Sequence, residues 1–217
     1  MLPNIFLAGK AGSGKDTVGK VLSEEFGYKR VAIADNIKNL TVWLWDEASN
    51  KKPHHATAHK LCQIFNFLPE PMFINDISEI MEYLERVDIN KNADMRPAYQ
   101  KLGEIARKRD PDIWLRMVKE KIKKISGPVA ITDGRYLREQ SFFEEIGFTS
   151  FVVVAEPDKR MERLRKRDPG FAASSLDHPT EQEVFHCPKI YNNGSIEDLR
   201  QEIVFLVRRH AHALPPR

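Results

Sequence analysis

The chain is poor in cysteine, with only Cys62 and Cys187 among its 217 residues. Two cysteines exclude a disulfide framework and fit a reducing compartment, so a cytoplasmic location is expected. Long apolar runs are also missing. No stretch approaches the roughly 20 apolar residues a membrane helix needs, and no charged segment precedes an apolar core at the N-terminus. A membrane partner is therefore not expected. Charge of one sign is scarce too: 34 basic against 31 acidic residues leave a net +3. So small an excess does not argue for nucleic-acid binding, although local basic clusters still matter. Repeats and low-complexity tracts are absent. Glycine is sparse at 11 residues, yet Gly9, Gly12 and Gly14 fall within a single short string.

That string is Gly9-Lys10-Ala11-Gly12-Ser13-Gly14-Lys15-Asp16-Thr17. It follows the apolar run Ile5-Phe6-Leu7-Ala8 and precedes a helical pattern that puts Val18, Val21, Leu22 and Phe26 on one face. Strand, glycine-rich turn, then helix is the setting of a phosphate-binding loop. Successive backbone N–H groups curl around an anion there, and the helix N-terminus adds partial positive charge. Ala11, Gly12, Ser13, Gly14, Lys15, Asp16 and Thr17 are the candidate nucleotide contacts, with Lys15 reaching the outer phosphates of a nucleoside triphosphate. The position after the lysine usually carries Ser or Thr, whose hydroxyl binds magnesium. Here it is Asp16, a carboxylate that can ligate Mg2+ directly or through water, with Thr17 next.

Further along, residues 28–34 read as a second strand ending at Asp35. Asp35 and Lys38 then fall where ligands bind in open parallel sheets; the alternative is that Asp35 only caps a helix. Ile37, Leu40, Leu44 and Trp45 give that helix a core stripe. Residues 50–75 are less regular, with a short apolar helix closed by Pro69 and Pro71. His55, His59 and Cys62 have helical spacing but no fourth ligand, so packing and surface roles are preferred to zinc. Residues 76–87 read as an amphipathic helix. Gln100 and Arg107 could hold a nucleobase and a phosphate, or could be ordinary exposed helix residues. Asp110 reads as a cap with Pro111 at the first helical position of a helix running to Ile125.

Residues 128–132 form a continuous apolar strand ending in Asp133-Gly134-Arg135. Asp133 is a candidate magnesium ligand and Arg135 a phosphate clamp. A helix over 136–146 and a strand over 150–155 follow. From Pro157 a helix carries Arg160, Arg163 and Arg167 on one face, which suggests a lid over about 157–187. Residues 189–193 read as a last strand before a helix over about 195–210. Asn192 and Asn193 could approach an adenine or simply form the turn. The expected fold is α/β, a P-loop kinase fold with a central parallel sheet of about five strands and helices on both faces. One domain spans 1–217, with a helical acceptor-binding insertion over about 36–125. No Asn-Lys-x-Asp string for reading guanine occurs.

The pattern resembles the bacteriophage-type deoxynucleoside monophosphate kinases. The likeness rests on the 9–17 string, Ala34-Asp35-Asn36-Ile37-Lys38, Gln100-x-x-Gly103 with Trp114 beyond, Asp133-Gly-Arg135-Tyr-x-x-Glu139, and His178-Pro-Thr-Glu181. Residues 46–95 contribute nothing to it. The resemblance implies transfer of the ATP γ-phosphoryl group to a deoxynucleoside 5′-monophosphate. It implies Asp16 and Asp133 for magnesium, Asp35, Lys38, Gln100, Arg107, Trp114, Asp133, Arg135 and Glu181 on the acceptor side, and Lys15, Arg135, Arg163 and Arg167 in catalysis. Alternatives left open are a P-loop kinase acting on dephospho-coenzyme A or phosphomevalonate, and a nucleotide-dependent nucleic-acid-binding module. Whether the chain forms a homodimer is also open.

Overall fold

A computed structural model describes residues 2–167 and 182–211. In chain order the elements are β1 (Asn4–Ala8), α1 (Lys15–Phe26), β2 (Lys29–Val31), α2 (Ile33–Ser49), α3 (His54–Phe65), α4 (Pro71–Leu84) and α5 (Asn92–Arg109). Then come α6 (Ile113–Ile122), β3 (Val129–Gly134), α7 (Leu137–Glu145), β4 (Phe148–Val154), α8 (Pro157–Arg167), β5 (Lys189–Tyr191) and α9 (Ile196–Ala211). They divide into a sheet unit, Met1–Ala32 with Lys121–Arg217, and a helical unit, Ile33–Glu120. No helix among the described residues is long and apolar enough to cross a membrane.

In the sheet unit the strands are parallel and ordered β2-β3-β1-β4-β5. Both neighbours of β1 come from much later in the chain, and the strands beyond them lead to opposite edges. The loop after β1 therefore opens at the carboxyl edge where the strand order reverses, which is where open α/β sheets bind ligands. Alternation along β1 builds two faces. Ile5 and Leu7 join Val18, Val21 and Leu22 of α1, Phe151 and Val153 of β4, and Leu199, Ile203 and Val207 of α9 in one buried cluster. Phe6 points the other way and stacks on Phe143 of α7 at 5.4 Å, and Phe143 meets Phe148 at 5.2 Å. Helices thus cover both faces, as a parallel sheet of near-continuous apolar strands requires.

Several boundaries differ from the sequence reading. β2 is a strand of three residues, paired among the described residues with β3 alone. Ile33 and Ile37, four apart and both buried, draw the next residues into α2, so Asp35 stands in the first turn of that helix instead of at a strand end. Pro71 opens α4 at its first helical position, where its missing N–H costs nothing, instead of closing the preceding stretch. Asp110 ends α5 and also caps the turn through Pro111 that leads into the next helix, with regular helix starting only at Ile113. Its carboxylate accepts the Asp112 N–H at 3.0 Å and Arg116 Nη1 at 2.9 Å, and α6 begins beyond it. α6 ends at Ile122, short of Ile125.

The helical unit packs its own aromatic core. Phe65 meets Trp114 edge-on at 5.3 Å and Phe73 at 6.3 Å. Arg109 lies over Phe67 and Phe73 while its Nη2 donates to Glu70 at 2.7 Å and to the Leu68 carbonyl at 2.9 Å. The guanidinium thus closes the α3–α4 connection through both its face and its edge.

Candidate phosphate-binding site

The chain leaves β1 at Ala8 and reaches the first residue of α1 at Lys15, and this connection is the glycine-rich string. Gly12 has φ +75° and Gly14 φ +98°, a region that L side chains avoid. A Cβ on Gly12 would also come within 2.7 Å of the Arg160 carbonyl oxygen, so the loop presses against α8. The Ser13 N–H donates to the Lys10 carbonyl at 3.2 Å, and the Val18 N–H donates to the Gly14 carbonyl at 3.0 Å as the helix gets under way.

Three consecutive loop carbonyls are held from outside. Arg160 Nε donates to the Ala11 oxygen at 2.8 Å and Asn192 Nδ2 to the Ser13 oxygen at 2.8 Å. Arg163 Nη1 lies 3.5 Å from the Gly12 and Ser13 oxygens. No described peptide bond is cis, and in a trans peptide the N–H points away from its C=O. With the Ala11 and Ser13 oxygens drawn toward α8 and β5, the Gly12 and Gly14 N–H groups turn to the opposite side, as an anion cradle needs. The Lys15 ammonium crosses this loop, buried to 9% exposure, and donates to the carbonyls of Gly9 and of Lys10, the latter at 3.2 Å. An anionic ligand would offer it stronger acceptors than these neutral oxygens.

Asp16 is exposed and pairs with Arg30 Nη2 at 3.1 Å. A surface pair of this kind holds little energy, so the carboxylate can exchange to another cation. Asp133 is half-buried near the end of β3, and Arg135 is exposed just beyond it. The Glu139 carboxylate fixes that turn by accepting the N–H groups of Arg135 at 2.7 Å and Tyr136 at 3.1 Å. Asp16, Thr17 and Asp133 offer oxygen ligands only, which fits magnesium. No group of three or more His, Cys, Asp or Glu assembles among the described residues. On α3, His55 and His59 are exposed and Cys62 is buried.

In the helical unit, Asp35 is half-buried in the first turn of α2 and Lys38 is exposed one turn on. On α5, Gln100 is exposed and Arg107 half-buried. A Cβ on Gly103 would come within 3.4 Å of Arg107 Nη2 and 3.3 Å of Ile37 Cδ1, so the guanidinium folds over the bare glycine beside α2. Trp114 is buried and donates its indole N–H to the Gly103 carbonyl at 3.2 Å. It is a packing residue that supports Gly103. Arg167 ends α8 and is exposed; Glu181 and the central part of the expected lid lie outside the described residues.

Sequence reading singled out the α8 arginines but missed what they do: Arg160 and Arg163 brace loop carbonyls. It weighed Asn192 only against adenine or a turn. Arg30 was not noticed as the partner of Asp16.

No protein-family model matches the chain, and no curated protein is detectably similar to it. Solved structures are. The Thermus thermophilus protein TT1252 superposes with a TM-score of 0.53 at 17% identity, over 96% of this chain and 98% of that one. A dephospho-CoA kinase from Campylobacter jejuni gives 0.47 at 16% identity, over 97% and 98%. A sugar kinase from Janibacter gives 0.49 at 14% identity over the full length of both chains. Strand order, glycine-rich loop and helices on both faces together make this a P-loop kinase architecture.

Proposed function

We propose that the protein transfers the γ-phosphoryl group of ATP to a deoxynucleoside 5′-monophosphate, giving the diphosphate. The observation that carries the donor half is the loop whose Ala11, Gly12 and Ser13 carbonyls are engaged from outside, with Lys15 at the helix start. The acceptor half is supported by the Lys15-Asp16-Thr17 continuation and by the strings at 34–38, 100–103 and 133–139.

In this reading the amides of Ala11 to Thr17 receive the donor phosphates, and Lys15 leaves the Gly9 and Lys10 carbonyls for the outer phosphate oxygens. Asp16 and Asp133 would hold magnesium, which would supply neutralisation of the phosphate charge. Arg163 and Arg167 carry positive charge to the transferring group, and Arg135 joins them from the turn after β3. Asp35, Lys38, Gln100 and Arg107 of the helical unit are the acceptor contacts. The attacking atom is a phosphate oxygen already ionised at neutral pH, so no general base is required, and catalysis reduces to alignment and charge stabilisation.

A coupled ADP-release assay with Mg2+ and ATP tests this across deoxynucleoside and ribonucleoside monophosphates, dephospho-coenzyme A and phosphomevalonate. Release with one or more deoxynucleotides and little with the rest is expected. Release only with dephospho-coenzyme A would move the chemistry to a hydroxyl acceptor and make Asp35 a base. Silence on every acceptor would overturn the reading.

A further inference from the structure

Asn192 lies just past β5, and its backbone N–H donates to the Val154 carbonyl at 2.8 Å, so its position is set by the sheet. The residue is buried to 7% exposure. Its amide works in two directions. Nδ2 donates to the Ser13 carbonyl at 2.8 Å, while Arg163 Nη2 donates to the Asn192 carbonyl at 2.9 Å and to Oδ1 at 3.4 Å. Arginine can only donate and a carbonyl can only accept, so the partners fix which way the amide points. A second observation is independent of these bonds. A Cβ on Gly14 would overlap Asn192 Nδ2, so the loop is bare at the one place where the amide enters.

We propose that Asn192 is a positioning residue for the donor site: it holds the Ser13–Gly14 peptide with its N–H toward the phosphates and keeps Arg163 against the loop. This rests on the donor-loop reading above. Without the amide, the Ser13 oxygen loses its 2.8 Å restraint and keeps the longer one from Arg163, and rotation of the peptide would aim that oxygen at a polyphosphate. Aspartate keeps the shape and can still accept from Arg163 but cannot donate, and its charge would repel the Ser13 oxygen. Alanine removes the donor to Ser13 and the 3.4 Å acceptor for Arg163, and keeps the backbone carbonyl that Arg163 bonds at 2.9 Å.

Calorimetric titration with Mg·ADP, steady-state kinetics and thermal melting of Asn192→Asp and Asn192→Ala test the proposal. Lys159→Met is the control, because Lys159 bonds the Asn193 carbonyl and tethers the same turn without touching the loop. Both Asn192 variants are expected to bind Mg·ADP about tenfold or more weakly, with KM for ATP rising in step and KM for the acceptor unchanged. Lys159→Met is expected to melt lower and to bind Mg·ADP as the wild type does. Equal affinity loss in Lys159→Met and Asn192→Ala would reduce Asn192 to a structural role and overturn the proposal. Wild-type affinity in a folded Asn192→Asp would do the same. Wild-type protein that binds neither Mg·ADP nor Mg·ATP would instead remove the donor-loop reading, and this inference with it.

Discussion

Replacing Gly14 by alanine loads two separate costs onto one methyl group. At φ +98° and ψ +24° any side chain is strained, at about 1–3 kcal/mol. The methyl would also occupy the place of Asn192 Nδ2 and break its bond to the Ser13 oxygen, which is worth about 1 kcal/mol. Together they come to about 2–4 kcal/mol, or a fall in Tm of roughly 4–16 °C for a chain of this length. Gly27 supplies the comparison. It too has positive φ, +71°, but nothing lies within 4 Å of a Cβ there, so Gly27→Ala carries the strain without the collision. Thermal melting of both variants, each with and without Mg·ADP, separates the terms. Gly14→Ala should melt below Gly27→Ala and gain less from Mg·ADP, since the displaced amide no longer holds the loop. Equal melting points and equal stabilisation by Mg·ADP would refute the packing of Asn192 against the loop.

Lys15→Ala should stay folded, because the Gly9 and Lys10 carbonyls that its ammonium bonds belong to the same short loop, and should lose at least about 10²-fold in kcat in the ADP-release assay. Turnover at the wild-type rate would remove the phosphate loop from the mechanism. Asp35→Asn should raise KM for the acceptor while leaving kcat within about tenfold; a kcat loss of about 10² or more would mark a general base and a hydroxyl acceptor. Burial, and then the Glu144 carboxylate, pushes the Cys187 thiol up to about 11. Iodoacetamide labelling of the folded protein should therefore be slow at pH 8 and still rising at pH 10, because only the thiolate reacts. The same shift makes stability fall as pH rises through the range between about 9 and about 11, since the unfolded thiol ionises first. Labelling that levels off by pH 9 would contradict the burial of Cys187.

The glycine-rich loop between β1 and α1 was legible in sequence because its signal is local: nine consecutive residues between an apolar strand and an amphipathic helix. β1, β3 and β4 were legible for the same reason, each a run of apolar residues. Asp35 was misplaced because the sequence shows Val31 to Ala34 as one apolar stretch, whereas β2 has three residues and the buried spacing of Ile33 and Ile37 belongs to a helix. Asp110-Pro111 was legible as a cap, since the aspartate accepts the Asp112 N–H, but its second role in ending α5 and bonding Arg116 was not. The braces on the loop were beyond reach. Arg160, Arg163 and Asn192 stand about 150 to 180 positions away from the carbonyls they hold. A side chain bonded to a backbone oxygen leaves no complementary residue to recognise. What sequence did offer was the shared face of Arg160 and Arg163, which pointed to phosphate chemistry in general and not to the peptide units they restrain.

The central claim is that a phosphoryl group moves from ATP to the phosphate of a deoxynucleotide, and 31P NMR of the reaction mixture tests it most directly. With Mg2+, ATP and the four deoxynucleoside monophosphates in turn, the γ-resonance of ATP should decay as new α and β resonances of a deoxynucleoside diphosphate grow in equal amounts. Decay of ATP to ADP and inorganic phosphate, with every deoxynucleoside monophosphate resonance unchanged, would contradict it.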